Sequence, residues 1–423
     1  MKTGLRIGLI IILTINITFL FSQNYWEQLY FPDTVHIRCI TTNESGDIFV
    51  GVGYDNQTGG VYRSTNNGQS WDLAYDNGVF GVLSIAINEE GYIYVGKNGF
   101  ERFIVSKDNG ESWENIELPS PSYGNVLRIF CVGQDTIFIS TWETMGSFIT
   151  YSFNGGETWQ YSYVNDHPNE YVSDIDISST GEIFVSTNGF FWDQGGVYKS
   201  DDAGENWEYV GLLNHQVHTL ELNSNNEVFT GDWWVINNDW PGIHALYEGT
   251  NTFDLIFDAY DVTDIVIDSD ETIYAAANEG VVYSLDNGLS FNQIEDNLST
   301  TIEFLHISSN GYLYGIRFNR IVKSIDPIIT GTSNLYYNRK TELVITYPNP
   351  TYNILKVYLS SKSISDNFCK VYIYDVYGKV VYKNEDHFNS DSFTMDVSLL
   401  ATGYYLVVIR QNDKIYKSSF VKN

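Results

Sequence analysis

The chain has 423 residues, a net charge of −30, 43% hydrophobic content and 16% aromatic content, with 32 tyrosines among the aromatics. That composition supports a sizeable core and favours strands over helices. Residues 7–339 hold 11 basic and 45 acidic side chains, a net near −34, whereas 340–423 hold 10 and 8, a net near +2. The step marks a domain boundary, and the acidity of the larger part excludes nucleic acid and anionic lipid as its partners.

In chain order, Lys2 and Arg6 precede an apolar run over 7–21, and Ser22 suits the position before a cut. Residues 1–22 therefore read as a secretory signal peptide, too short to span a bilayer. No other segment approaches membrane-spanning length, so no transmembrane segment is expected in the mature protein. Cys39, Cys131 and Cys369 are too few for a disulfide framework. Cys39 and Cys131 fall two repeats apart and are expected to be unpaired. No C-x-x-C occurs, and His215 and His218 (HQVH) lie three apart, which on a strand turns them to opposite faces. No metal or cofactor is expected.

One octapeptide recurs: STNNGQSW (64–71), SKDNGESW (106–113), SFNGGETW (152–159), SDDAGENW (200–207) and SLDNGLSF (284–291). The steps are 42, 46, 48 and 84, the last being two steps of 42. A decayed copy fits near 245–253, and a truncated one at Ser324-Ile325-Asp326. Short apolar strands keep the same beat: DIFVG, YIYVG, TIFIS, EIFVS, EVFTG, TIYAA and YLYGI. Each follows a tight polar turn and an earlier alternating strand, and each precedes a third strand ending at the octapeptide. A fourth strand begins at the octapeptide's aromatic residue. Four short strands per repeat, seven times, describe a seven-bladed β-propeller over 24–326. The seventh repeat lacks a fourth strand, while NYWEQLYF (24–31) resembles one. The mature N-terminus is thus expected to complete blade 7, with Trp26 in the inserted ribbon.

The octapeptide occupies the turn between third and fourth strands. Its glycine (Gly68, Gly110, Gly156, Gly204, Gly288) suits positive φ. Its third residue (Asn66, Asp108, Asn154, Asp202, Asp286) accepts backbone N–H groups beside the leading serine (Ser64, Ser106, Ser152, Ser200, Ser284). Its aromatic residue (Trp71, Trp113, Trp159, Trp207, Phe291) can pack between sheets. These stretches resemble the Asp-box (BNR) repeats of sialidase-like propellers, shared with sortilin-type receptors, xyloglucanases and photosystem-assembly propellers. The resemblance implies a structural turn remote from the active face.

Function is expected on the opposite face, where the loops between second and third strands are long and aromatic. Blades 3 to 5 concentrate the signal: Trp142, Phe190, Phe191, Trp192, Trp233, Trp234 and Trp240, with Glu143, Asp193, Asp232 and Asp239 among them. Such a cluster makes either a shelf for a glycan or protein ligand, or a set of aromatics that order the loops by packing together. Arg38, Arg128, Asp174, His218, Asp264 and Glu303 open the innermost strands and are expected to rim the channel on this side. The sialidase resemblance implies three arginines around a carboxylate, a Tyr/Glu nucleophilic pair and an Asp acid. The Phe-Arg-Ile-Pro motif of that family is absent; HIRCI (36–40) offers only its arginine, and Arg38, Arg128 and Arg317 lack the family's context.

Residues 327–340 read as a linker. The remainder, 341–423, alternates apolar residues around hairpin signals and reads as a small β-sandwich. Its Tyr-Pro-Asn-Pro start (347–350), Asp375–Lys379 turn and Leu400-Ala-Thr-Gly-Tyr-Tyr segment resemble the C-terminal sorting domain of type IX secretion in Bacteroidota. The resemblance implies engagement of that secretion machinery and delivery to the outer cell surface or beyond, with the tail open to removal. The chain thus reads as an all-β protein, a seven-bladed propeller followed by a β-sandwich. The favoured function is ligand binding through blade 3–5 loops; the alternative is a sialidase-like glycoside hydrolase.

Overall fold

The computed structural model describes residues 25–328 and 344–422, apart from 33–34, 54–58, 99–100, 120–123, 143–146, 168–169, 190–194, 236–239, 279, 295–300, 318, 348–350, 360–367, 376–378, 388–391 and 412–413. The leader at 1–22, most of the linker at 327–340 and residues Glu143, Phe190, Phe191, Trp192, Asp193 and Asp239 lie outside the described residues.

Seven four-stranded antiparallel sheets follow one another along the chain. Their innermost strands are Ile37–Thr42, Val82–Ile87, Asn125–Val132, Glu170–Ile177, His215–Leu222, Asp264–Ile267 and Phe304–Ile307. Each touches the next, and the seventh returns to the first. Thr42 Oγ1 and His306 Nε2 meet at 2.9 Å across that return. The second strands, such as Ile48–Val52 and Ile93–Lys97, are buried along their whole length because a neighbouring blade covers each face. They therefore read as continuous apolar runs. Fourth strands such as Asp72–Asp76 lie at the rim and are largely exposed.

The glycine closing several second-strand motifs has a packing reason. A Cβ on Gly51 would sit 2.6 Å from Val82 Cγ1 of the next blade, and one on Gly231 would sit 2.3 Å from Val262 Cγ1. Only a residue without a side chain lets the neighbouring innermost strand approach so closely.

Blade 7 is completed by the first of the described strands. Trp26–Leu29 pairs antiparallel with Arg320–Ser324, with Trp26 opposite Ser324 and Leu29 opposite Ile321. The Ile325 N–H donates to the Tyr25 carbonyl at 3.0 Å, and Lys323 Nζ reaches Glu27 Oε1 at 3.3 Å.

All five octapeptides form the same turn. The serine hydroxyl donates to the third residue's Oδ1 at 2.8–3.0 Å. It accepts from the glycine N–H at 2.8–2.9 Å. The third residue's Oδ1 accepts the N–H of the seventh at 2.8–2.9 Å. The glycines have φ between 78° and 89°. The residue before each is left-handed too, as Asn67, Asn109, Gly155, Ala203 or Asn287. Asn109 and Asn287 also reach back to the preceding blade, donating to Asp47 Oδ2 and Glu227 Oε2 at 2.7 Å. The aromatics lie against the preceding blade as well. Trp113 Nε1 donates to the Ala74 carbonyl at 3.0 Å, Trp207 Nε1 to Ser162 Oγ at 3.0 Å, and Phe291 packs on Phe257 at 4.9 Å. Trp71 donates to the Tyr30 carbonyl and packs edge-on against Phe31; Trp159 packs edge-on against Phe103.

The C-terminal part holds two sheets. One orders Val344–Tyr347, Ile354–Leu359 and Ser392–Asp396; the other orders Val380–His387, Phe368–Asp375, Gly403–Gln411 and Lys414–Lys422. Leu355, Val357, Val371, Ile373, Met395, Val407, Ile409 and Phe420 fill the space between them. Tyr405 OH donates to the Ala401 carbonyl at 2.8 Å and so closes the Leu400–Tyr405 segment on itself.

Candidate ligand-binding face

Antiparallel order places the octapeptide turns at one end of the five blades that carry them and the second-to-third-strand loops at the other. Innermost strands start at the loop end. On this end Trp233 and Trp240 of blade 5 present 49% and 59% of their surface to solvent. The Trp233 ring stands edge-on to His218, 5.6 Å between centroids, and so joins the loop to the channel. Trp142 and Trp234 lie in strands, at the end of Thr136–Trp142 and within Val228–Val235; their side chains fall outside the described set.

Four of the residues assigned to the channel rim share one electrostatic environment. Burial pushes the Asp264 carboxyl up to about 7, against the Leu305 N–H that it accepts at 2.7 Å, and Asp174 adds to the rise. Burial also raises Asp174, opposed by Arg128. His218 falls to about 4 through burial, with Arg128 lowering it further. Arg128 thus acts on both carboxylates and on the imidazole. Arg38 and Arg128 both act on the buried Cys39 thiol, which burial lifts to about 12. Glu303 is exposed. Cys39 and Cys131 are free thiols.

A recurring irregularity sets these positions. In blades 1 to 4 the pairing of first and second strands skips one residue, Arg38, Leu83, Leu127 and Ser173, and in blade 5 it skips two, Gln216 and His218. Each is a β-bulge, which re-aims the side chains around it. Arg38 and His218 are themselves bulged residues, while Arg128 and Asp174 follow one.

The Asp264 environment has a measurable consequence. Its folded-state value lies above the ordinary carboxylate value, so the folded protein holds this proton more tightly than the unfolded chain does. The resulting stability is complete below about pH 4 and is lost as pH rises through about 7. Asp264→Asn is therefore expected to match the wild type in Tm near pH 4 and to exceed it near pH 8. Thermal unfolding at the two pH values measures this; an equal difference at both would refute it.

Asp232 departs from its sequence-based role. Read as a loop carboxylate facing the ligand, it is instead 0% exposed. Its Oδ1 accepts the Gly242 N–H at 2.5 Å, and its Oδ2 lies 2.5 Å from His215 Nδ1 and 3.6 Å from His244 Nδ1. The carboxylate turns inward because it clamps the two ends of its own loop. Buried Glu170, which opens the innermost strand of blade 4, instead ties the start of the third strand to the link before its own strand, accepting from Gly195 N–H at 3.1 Å, from Asn165 at 2.7 Å and from His167 at 3.0 Å. Neither clamp was read from the sequence. For Asp232 the one signal was a carboxylate 10 residues before the glycine that opens the third strand. His215 and His218 do not converge on each other; His215 instead meets partners from two other strands.

Several solved structures share the propeller. One is YCF48 bound to D1 peptide, with a TM-score of 0.55 and 13% identity over 73% of this chain and 98% of that one. Another is YCF48 from Cyanidioschyzon merolae, at 0.53 and 12% over 71% and 98%. A third is the WD40 beta propeller domain of Doa1, at 0.52 and 13% over 72% and 97%. At such identities the likeness shows the fold alone. No curated protein matches. Among the described residues no helix is long and apolar enough to cross a membrane. Residues 345–423 match the family model of the secretion system C-terminal sorting domain, and this segment directs the protein through type IX secretion to the cell surface or extracellular space.

Proposed function

We propose that the protein is an exported β-propeller that binds a glycan or protein ligand on the loop end of blades 3–5. The observation that carries this reading is the pair of exposed indoles, Trp233 and Trp240, the first of them edge-on to His218, which shares an electrostatic environment with Arg128, as do Asp174 and Asp264. Flat apolar rings next to hydrogen-bonding groups suit the alternating apolar and hydroxylated faces of sugar rings. Residues 1–22 act as the export leader, 327–340 as the linker, and the octapeptides as Asp-box turns of the sialidase-like type, whose work is structural. The tail engages the secretion machinery.

The test is retention on a glycan array and on candidate surface proteins. The double variant Trp233→Ala/Trp240→Ala is expected to weaken binding at least about tenfold, the loss that follows when an aromatic anchor is truncated. Unchanged retention would refute the loop-end assignment. A second reading, a sialidase-like glycoside hydrolase, is favoured by one observation: Asp264 rises to about 7 next to Asp174, as a general acid does. Product release from the same glycans, abolished in Asp264→Asn with retention intact, would replace the binding reading with the hydrolase.

A further inference from the structure

We propose that His215, Asp232 and His244 form a binding site for a divalent transition-metal cation of the zinc class within blade 5. The three side chains come from three adjacent strands: His215 opens His215–Leu222, Asp232 lies in Val228–Val235, and His244 lies in Gly242–Leu246. Their ligating atoms all lie within 4.8 Å of one another, and all three residues are buried. Two imidazole nitrogens and one carboxylate oxygen are a donor set that zinc and its neighbours in the first transition row accept.

The orientation of the carboxylate supports the same assignment. Gly242 N–H holds Asp232 Oδ1, which leaves Oδ2 facing both imidazoles. Metal-binding carboxylates are usually fixed in this way by a hydrogen bond to the oxygen that does not ligate. The His244–Asp232 separation of 3.6 Å is too long for a hydrogen bond but close to the spacing of roughly 3.3 Å between neighbouring ligands around zinc, at about 2.0–2.2 Å each. The His215–Asp232 contact of 2.5 Å is shorter and must widen by under about 1 Å when the ion enters. Ligation uses the Nδ1 lone pair, so His215 would hold the ion as the tautomer with its proton on Nε2.

The surroundings favour a cation. The propeller carries a large negative excess, and a carboxylate removed from solvent is stabilised by an opposite charge at contact distance. The position also gives the ion a role. Trp233 follows Asp232 directly, and Gly242 stands two residues after Trp240. A bound ion would pin three strands at the root of the loop that bears both indoles. The assignment does not depend on what the loop end binds.

The test uses the full mature chain, stripped with chelator and titrated with Zn2+ and with Co2+. Saturable uptake of one equivalent and a Tm that rises with free Zn2+ are expected. Asp232→Asn and His244→Gln should each weaken uptake at least about tenfold. The absence of a saturable equivalent in the wild type would overturn the proposal, as would unchanged uptake in both variants. If a variant folds poorly, the wild-type titration decides the matter alone. The glycan and protein retention assay, run on metal-free and Zn2+-loaded protein, keeps the outcome for this site separate from that for the loop-end function.

Discussion

Trp26→Ala is expected to lower the stability of the propeller by about 3–5 kcal/mol, in the range for truncating a large buried aromatic. Trp26 is only 6% exposed. It packs with Tyr274, Ile294, Ile302, Leu305 and Val322, so its ring joins blades 6 and 7. It also stands edge-on to Tyr25 at 5.0 Å. Loss of the indole weakens the whole inserted ribbon and uncovers the edge of Arg320–Ser324, which then offers unpaired backbone groups to other chains. Trp26→Phe separates packing from polarity. The indole Nε1 is buried without a hydrogen-bond partner, so phenylalanine forfeits volume but no hydrogen bond and should cost under about 2 kcal/mol. Urea unfolding of the two variants measures both. A Trp26→Ala loss below about 1 kcal/mol would show that the ribbon does not hold the ring shut.

Gly96→Val is expected to cost about 3 kcal/mol or more, or to prevent folding. A Cβ at this position would sit 2.4 Å from Ser84 Oγ, 2.6 Å from Val126 Cγ1 and 2.8 Å from the Val126 carbonyl oxygen. Two of those atoms belong to the innermost strand of the next blade, and one is backbone, so relief requires the blades to separate. Overfilling a packed core costs about 1–3 kcal/mol even where side chains can move. Gly91→Ala provides the contrast. Gly91 has φ of 80°, and nothing lies within 4 Å of an added Cβ. Its penalty is that of a left-handed alanine, about 1–2 kcal/mol. If Gly96→Val proved as mild as Gly91→Ala, close approach of the blades could not be what selects glycine at the end of the second strand.

Much of the architecture was legible because it rests on local, repeated chemistry. Ser106, Asp108 and Gly110 make their turn almost wholly within one octapeptide, so spacing alone located it. The ribbon at 24–31 was legible because blade 7 lacked a strand of its own. The candidate site was less legible, because its residues meet through cross-strand register. His215, Asp232 and His244 are separated by 17 and 12 positions, and no pairwise spacing marks them. The bulges compound the difficulty. Parity counting along HQVH assumes regular pairing, yet the register shifts between His215 and Val217 and again between Val217 and Thr219. The inward turn of Asp232 was hidden for the same reason, since it depends on the Gly242 N–H ten residues later. Asn109 and Asn287 looked like ordinary turn residues; their bonds to Asp47 and Glu227 appear only when blades stand side by side.

The pairing of Trp26 with Ser324 also bears on how the protein matures. The ribbon made first must wait for the segment made about 300 residues later, so the ring carries one contact of very high sequence separation, the kind that slows folding. Until that encounter the nascent circle stays open and deformable. The circle can therefore shut only after both halves of its latch have been made, at the two margins of the propeller.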